Sequence, residues 1–142
     1  MIIDIRKLSR FLDKYSKYLS NEYQITLPQL LCLYEIVKED GINLTELTKR
    51  VNMNNSAVTG IVDRLELKCY VRRVKKAGDR RTIQIEATGA GREFTGNIVE
   101  VLGKDCFIDI SKFSNENLQD LSTSIQKIIS SFDPEIKKID LV

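Results

Sequence analysis

The densest concentration of chemistry lies between residues 64 and 81, where Arg64, Lys68, Arg72, Arg73, Lys75, Lys76, Arg80 and Arg81 meet only Glu66 and Asp79. Eight bases against two acids put this stretch at +6 in a chain whose formal net charge is +2, so the remainder carries −4. Such a local excess suits phosphate neutralisation with counterion release, the main source of sequence-independent affinity for nucleic acid. A solvated hairpin kept soluble by its lysines is the plain alternative. Just upstream, Val58, Ile61, Val62 and Leu65 recur at helical spacing, which leaves Asn54, Asn55, Ser56, Thr59, Gly60, Asp63 and Arg64 on the other side. Short polar side chains near a helix start can meet base edges or phosphates, and a glycine permits close backbone approach. The alternative there is an ordinary hydrophilic surface helix.

Other chemistries find no support in the residues. The chain has no histidine, so a Ser/His or Cys/His catalytic pair is excluded. Cys32, Cys69 and Cys106 are widely spaced, with no CxxC pair, which argues against a disulfide framework or a structural zinc site. Seven glycines form no phosphate-cradling pattern. An enzyme is therefore not expected, and no cofactor is implied. The longest dense apolar patch, Leu30 to Tyr34, falls far short of the ~18 residues that a membrane span needs. The Met1-Ile2-Ile3-Asp4-Ile5-Arg6 start lacks the pattern of an export signal, so a cytoplasmic protein is expected. With 142 residues, 42% of them apolar, one folded domain with a real core is the first reading.

The elements that must position the basic segment follow from periodicity and caps. Ile5, Leu8, Leu12, Tyr15 and Leu19 line one face of a helix over residues 2–20. Thr26, with Gln29 three residues on and Pro28 between, announces a second helix that Gly41 ends. Asn43 caps a short helix to about Val51. After the turn at 52–55 a fourth helix runs to about Cys69, a pair joined tightly enough to suggest a helix-turn-helix. The spacing then changes to alternation: Val71–Lys75 and Thr82–Ala87 read as strands of a hairpin turned at Ala77-Gly78-Asp79. Thr88 caps a helix through Phe94, Ile98, Val101 and Leu102. Ser114 starts a last one carrying Leu118, Leu121, Ile125, Ile128 and Phe132, with Pro134 limiting its end. The first helix and the last two have more apolar face than a small domain needs, so a second copy is their expected partner.

Several motifs tie these elements to a known family. Asn43-Leu44-Thr45-Glu46-Leu47, Asn55-Ser56-Ala57-Val58-Thr59, Val62-Asp63-Arg64-Leu65-Glu66, Tyr70-Val71, and Gly78-Asp79-Arg80-Arg81 ending in Ala87-Thr88 together resemble the MarR family of bacterial transcription regulators. The resemblance covers residues 26–91 by motif and the whole chain by helix order and length. It implies a mainly α fold of about six helices: a winged helix-turn-helix with a two-stranded wing, embedded in a helical dimerisation frame. Residues 26–91 would form the DNA-binding lobe and 1–25 with 92–142 the frame, all within one domain spanning 1–142.

The resemblance also implies roles. The fourth helix would enter the major groove and the hairpin the minor groove, with Arg81 as its arginine and Asp79 or Asp63 holding that guanidinium. Expected DNA contacts are Asn54, Asn55, Ser56, Thr59, Gly60 and Arg64 on the helix, with Arg72, Arg73, Lys75, Lys76, Arg80 and Arg81 on the wing. Surface pairing worth under ~1 kcal/mol is the plain alternative for the two acids. The expected partners are double-stranded DNA with a pseudo-palindromic operator, a second copy of the chain, and a small aromatic or anionic effector bordered by Arg10, Tyr15, Tyr18 and Tyr34. Together these give a repressor released by a ligand. One departure stands out: Cys69 occupies a position where the family commonly has glycine. Nearby Lys68, Arg72 and Arg73 open a thiol-based redox reading, although the family's peroxide-sensing branch carries its reactive cysteine in the first helix, where this chain has none. Another reading, from a different class, is a winged-helix module that meets a protein.

Overall fold

The computed structural model describes residues 1–104 and 110–137. It comprises two compact units, Met1–Val99 and Glu100–Val142. The first contains α1 (Ile2–Tyr23), α2 (Leu27–Lys38), β1 (Ile42–Asn43), α3 (Leu44–Val51), α4 (Asn55–Leu67), β2 (Val71–Lys76), β3 (Asp79–Ala87) and the start of α5 (Gly89–Lys104). The second holds a short 3-10 turn at Ile110–Lys112, then α6 (Asn115–Ser130) and the one-turn α7 (Pro134–Lys137). Mainly helical architecture with a small antiparallel sheet is thus what the chain adopts. Cys106 lies outside the described residues, as do the side chains of Val101 and Leu102.

Caps set the helix starts where local chemistry demands them. At α2 the Gln29 amide donates to Thr26 Oγ1 at 3.3 Å while the Thr26 amide donates to Gln29 Oε1 at 3.2 Å, a reciprocal capping box. Asn43 accepts from the Glu46 amide at 2.8 Å to open α3, and Asn54 accepts from the Ala57 amide at 2.7 Å to open α4. Between them the chain reverses through Asn52, which sits at φ 52°. Asn tolerates that left-handed backbone better than most side chains. Helices α2, α3 and α4 pack together over Leu33, Ile36, Leu47, Val58, Val62 and Leu65, all buried. The sheet closes the core with Val71 and Ile85.

The end of α4 is tighter than its sequence suggests. It stops at Leu67 rather than Cys69, because the Tyr70 amide donates back to the Leu65 carbonyl at 3.0 Å and the Cys69 amide to the Glu66 carbonyl at 2.9 Å. These two bonds form a Schellman stop, which requires a left-handed residue, and Cys69 takes it at φ 62°. Glycine adopts that backbone without Cβ strain. Cys69→Gly is therefore expected to raise stability by about 1 kcal/mol, or ~2–4 °C in melting temperature. Thermal unfolding by circular dichroism checks this, and an unchanged or lowered midpoint refutes it.

The sheet has strand order β1-β3-β2, all antiparallel. Both wing strands run longer than alternation indicates. Asp79 already pairs with Lys76, so the reversal is confined to Ala77 and Gly78, the latter at φ 85°. A bulge falls between Lys75 and Lys76. The third strand, β1, lays Ile42 and Asn43 against Ile85 and Gln84. Asp40, just before it, accepts from the Ala87 amide at 3.3 Å and pairs with Arg92 of α5 at 3.0 Å. One carboxylate thereby joins the end of α2, the root of the hairpin and the first turn of α5.

The apolar stripes of α1 and α6 are present but uncovered. On α1 Leu19 is buried, whereas Ile5, Leu8, Phe11 and Leu12 are exposed. In the second unit Ser114 caps α6 with Asn117 reciprocally, yet the helix has no buried residue: Leu121, Ile125 and Ile128 are exposed, as is Phe132 just past its end. Pro134 opens α7 rather than merely limiting α6.

Candidate nucleic-acid interface

Helix α4 presents its polar side as expected from spacing. Asn55, Ser56, Asp63 and Arg64 are exposed, Asn54, Thr59 and Gly60 half-buried, and the Val58, Ile61, Val62 and Leu65 stripe is turned into the core. Two of these groups also serve the helix itself. Asn54 spends its side-chain oxygen on the cap, and Thr59 donates its hydroxyl to the Asn55 carbonyl at 2.7 Å. The Asn54 amide NH2 and the Thr59 oxygen lone pairs stay available for a ligand. At Gly60 an added Cβ would meet nothing within 4 Å, so the glycine leaves an open notch on the helix.

The wing divides its cations into two sets. Arg72 is bound to Glu86 through Nε at 3.1 Å and Nη2 at 2.9 Å, a fork across adjacent strands. Arg73, about a quarter exposed, donates to Asp63 at 2.7 Å and lies 3.5 Å from Glu66, whose carboxylate also accepts from the Arg73 amide at 3.2 Å. Its charge is compensated, and the contact fastens β2 to the last turns of α4. Lys75, Lys76, Arg80 and Arg81, by contrast, are exposed and enter no ion pair among the described residues. The uncompensated charge therefore sits at the tip.

The roles of the two acids differ from expectation. Asp63 holds Arg73 and not Arg81, because Arg73 lies at the root of the hairpin beside α4 while Arg81 lies out at its tip. Asp79 holds the chain rather than the guanidinium: it accepts from the Thr82 hydroxyl at 2.6 Å and the Arg81 amide at 2.9 Å. The Thr82 hydroxyl first, then the Arg81 amide, keeps the Asp79 carboxyl below its ordinary range. Its ionised form thus stiffens the turn that carries Arg80 and Arg81.

Glu66 and Glu86 are the ion-pair partners of Arg73 and Arg72, a pairing that charge counting alone passes over. Glu66 stands three residues after Asp63 on α4, which places two acids on one helical face inside a basic segment; that spacing is the signal that reveals it.

The suggested effector residues are not assembled into one site. A shallow depression on α1 is lined by Lys7, Arg10, Phe11 and Lys14, with none of the tyrosines. Tyr18 meets Tyr23 edge to face at 6.0 Å, Tyr15 is half-buried, and Tyr34 is exposed on α2. The cysteines separate clearly. Cys32 is buried, and desolvation pushes its thiol up to about 12, so it is inert at neutral pH; Cys69 is exposed.

A short recognition helix opened by a turn, followed by a hairpin with a bare cationic tip, is the geometry of a winged helix-turn-helix. The family model described as MarR family matches residues 25–83, the segment that builds this lobe. Over these residues the chain is similar to the MarR family of winged helix-turn-helix regulators. The HTH-type transcriptional regulator SarZ of Staphylococcus epidermidis is 27% identical over 128 residues, covering 89% of this chain and 84% of SarZ. Among solved structures, a complex of MepR from S. aureus with DNA superposes with a TM-score of 0.75 at 19% identity, over 93% of this chain and 98% of MepR. A cysteine-to-serine mutant of MarR from E. coli complexed with operator DNA gives 0.68 at 24% identity, over 89% and 94%. The overlap of this chain with these folds extends well beyond the lobe, over 93% and 89% of its length.

Proposed function

We propose that this chain is a MarR-type, sequence-specific, DNA-binding transcription regulator and not an enzyme, acting as a homodimeric repressor in the cytoplasm. The observation that carries the reading is the pairing of an open polar face on α4 with an uncompensated cationic wing tip on one rigid lobe, fastened together by Arg73. Asn54, Asn55, Ser56, Thr59, Gly60 and Arg64 serve the major groove. Lys75, Lys76, Arg80 and Arg81 serve the flanking phosphates and the minor groove, while Arg72 and Arg73 support the wing from within. No described helix is long and apolar enough to cross a membrane, which accords with a cytoplasmic site of action.

The exposed apolar stripes on α1 and α6 support a dimer, since side chains such as Leu8, Phe11, Ile125 and Ile128 in water are costly unless a second copy covers them. A two-fold axis then sets two recognition helices about 34 Å apart on a pseudo-palindromic operator. Release by a small aromatic or anionic effector belongs to the same reading as a shift between conformations.

Gly60→Ala tests the reading directly. Alanine fits the open notch and favours the helix, so melting should be unchanged or raised, by up to about 1 kcal/mol of stability. Affinity for a duplex taken from upstream of the gene should fall at least several-fold, because the new methyl group occupies the space the DNA uses. Wild-type affinity should also drop steeply with salt. Full affinity in Gly60→Ala refutes the groove placement, and a flat salt dependence favours the protein-interaction module.

A further inference from the structure

The carbonyl ends of α1 and α4 lie within one side chain's reach of each other. Helix α1 closes on Gln24, whose left-handed backbone at φ 53° returns its amide to the Ser20 carbonyl at 3.1 Å and leaves its own carbonyl to find a partner elsewhere. That partner is the ammonium of Lys68, the C-cap residue of α4, 44 residues on. The last turn of α1 carries no base of its own and contains Glu22, so the cation that complements this negative helix end is supplied by α4. Lys68 is half-buried and enters no ion pair among the described residues.

The bond joins two helices with different tasks. Residues 2–14 of α1 are all exposed, Leu19 is its one buried residue, and Ile25 is buried just past its end. Helix α1 is thus seated on the lobe by its C-terminal half, while the apolar stripe assigned to a second copy lies toward its other end. The seat made by Leu19 and Ile25 is apolar and carries no direction, so it tolerates a roll of α1. An ammonium aimed at one carbonyl is directional, and it removes that freedom. Lys68 also stands about 20 Å along α4 from Asn55, far from the polar groups at the start of the helix. Its position suits a tie within the chain and not a reader of bases.

We propose that Lys68 is a positioning residue for DNA reading: by holding the Gln24 carbonyl it fixes the angle between α1 and α4, and through α1 the separation of the two recognition helices in the dimer. The inference rests on the proposed function and deepens it, adding a residue that touches no DNA yet sets which half-site spacing is accepted. Arg73 fastens the same end of α4 to the hairpin through Asp63 and Glu66, so the two cations divide the work: one orients reader against wing, the other orients reader against the helix that meets the second copy.

The test compares wild type, Lys68→Met and Lys68→Arg on a duplex from upstream of the gene, on versions with one or two base pairs inserted at the centre of the footprint, and on a mixed-sequence duplex. Methionine keeps the apolar stem without the charge, and arginine keeps a charged donor. Lys68→Met should bind the upstream duplex about three- to tenfold more weakly and lose most of the discrimination against inserted base pairs. Its salt slope and its affinity for the mixed-sequence duplex should stay at wild-type values, and its melting midpoint within about 4 °C. Lys68→Arg should recover at least half of the lost discrimination. A salt slope lowered by about one in Lys68→Met puts Lys68 on a phosphate and overturns the proposal. So does wild-type discrimination in Lys68→Met, or a loss shared equally by the mixed-sequence duplex. Wild type that binds with salt dependence but accepts every spacing equally overturns this inference alone, whereas absence of salt-dependent binding by wild type overturns the DNA reading with it.

Discussion

Gly91→Ala is expected to cost about 1–3 kcal/mol of stability, seen as a melting midpoint lowered by several degrees. A Cβ at this position would lie 2.1 Å from the Tyr70 carbonyl oxygen, 2.9 Å from its carbon and 3.2 Å from its Cα. The obstacle is backbone, and it is held in place: that carbonyl accepts from the Thr88 amide at 3.0 Å. The Thr88 hydroxyl donates to the Cys69 carbonyl at 2.6 Å and accepts from the Gly91 amide at 3.1 Å, while the Tyr70 ring stacks on Phe94 with centroids 4.7 Å apart. Making room means lifting α5 off the joint between α4 and β2, with loss of these contacts. Gly89→Ala, two residues away and with nothing within 4 Å of its added Cβ, is the matched control and should stay within about 0.5 kcal/mol of wild type. Equal midpoints for the two variants would show that the joint yields freely.

Arg81→Ala and Arg73→Ala should both weaken DNA binding, by routes that salt separates. Arg81 is exposed and unpaired at the tip, so its loss is expected to cost 1–3 kcal/mol of affinity and to lower the magnitude of the salt slope by about one. Arg73 is already compensated by Asp63 at 2.7 Å and Glu66 at 3.5 Å. Its removal should leave the slope unchanged, because it displaces no phosphate counterion, and should lower affinity by loosening the angle between α4 and β2. Exposed pairs of this kind contribute little to global stability, so neither variant should melt more than about 1 kcal/mol below wild type. A slope that falls in Arg73→Ala as it does in Arg81→Ala would place Arg73 on the DNA and remove the distinction between them.

What sequence reading captures here is what is local. The Thr26–Gln29 box, the Asn43 and Asn54 caps and the Val58-to-Leu65 stripe all depend on residues within one or two turns, and each is found where spacing puts it. The left-handed residue at the end of α4, Cys69, is legible only through the family resemblance, which expects glycine there. Strand β1 is invisible because two residues carry no periodicity; only its pairing with Ile85 and Gln84 defines it. Ion-pair partners are equally hidden, since they depend on register: residue types near the wing allow Asp63 to hold either Arg81 or Arg73, and only the pairing of β2 with β3 puts Arg73 at the root. Charge summed along the segment therefore overstated the cationic surface, two of whose arginines are spoken for. For α1 and α6, periodicity identified the apolar faces but carried no information about what covers them.

The carboxylate of Asp40 gives this lobe a mechanical coupling. Its two oxygens hold the Ala87 amide and the Arg92 guanidinium, one belonging to the base of the hairpin and the other to α5. A twist of α5 about its own axis therefore pulls on the hairpin through a charged pivot, and Arg73 passes that pull on to α4 through Asp63 and Glu66. Torque arriving along α5 would tilt the hairpin and α4 as one body, so that both grips on a duplex would change together.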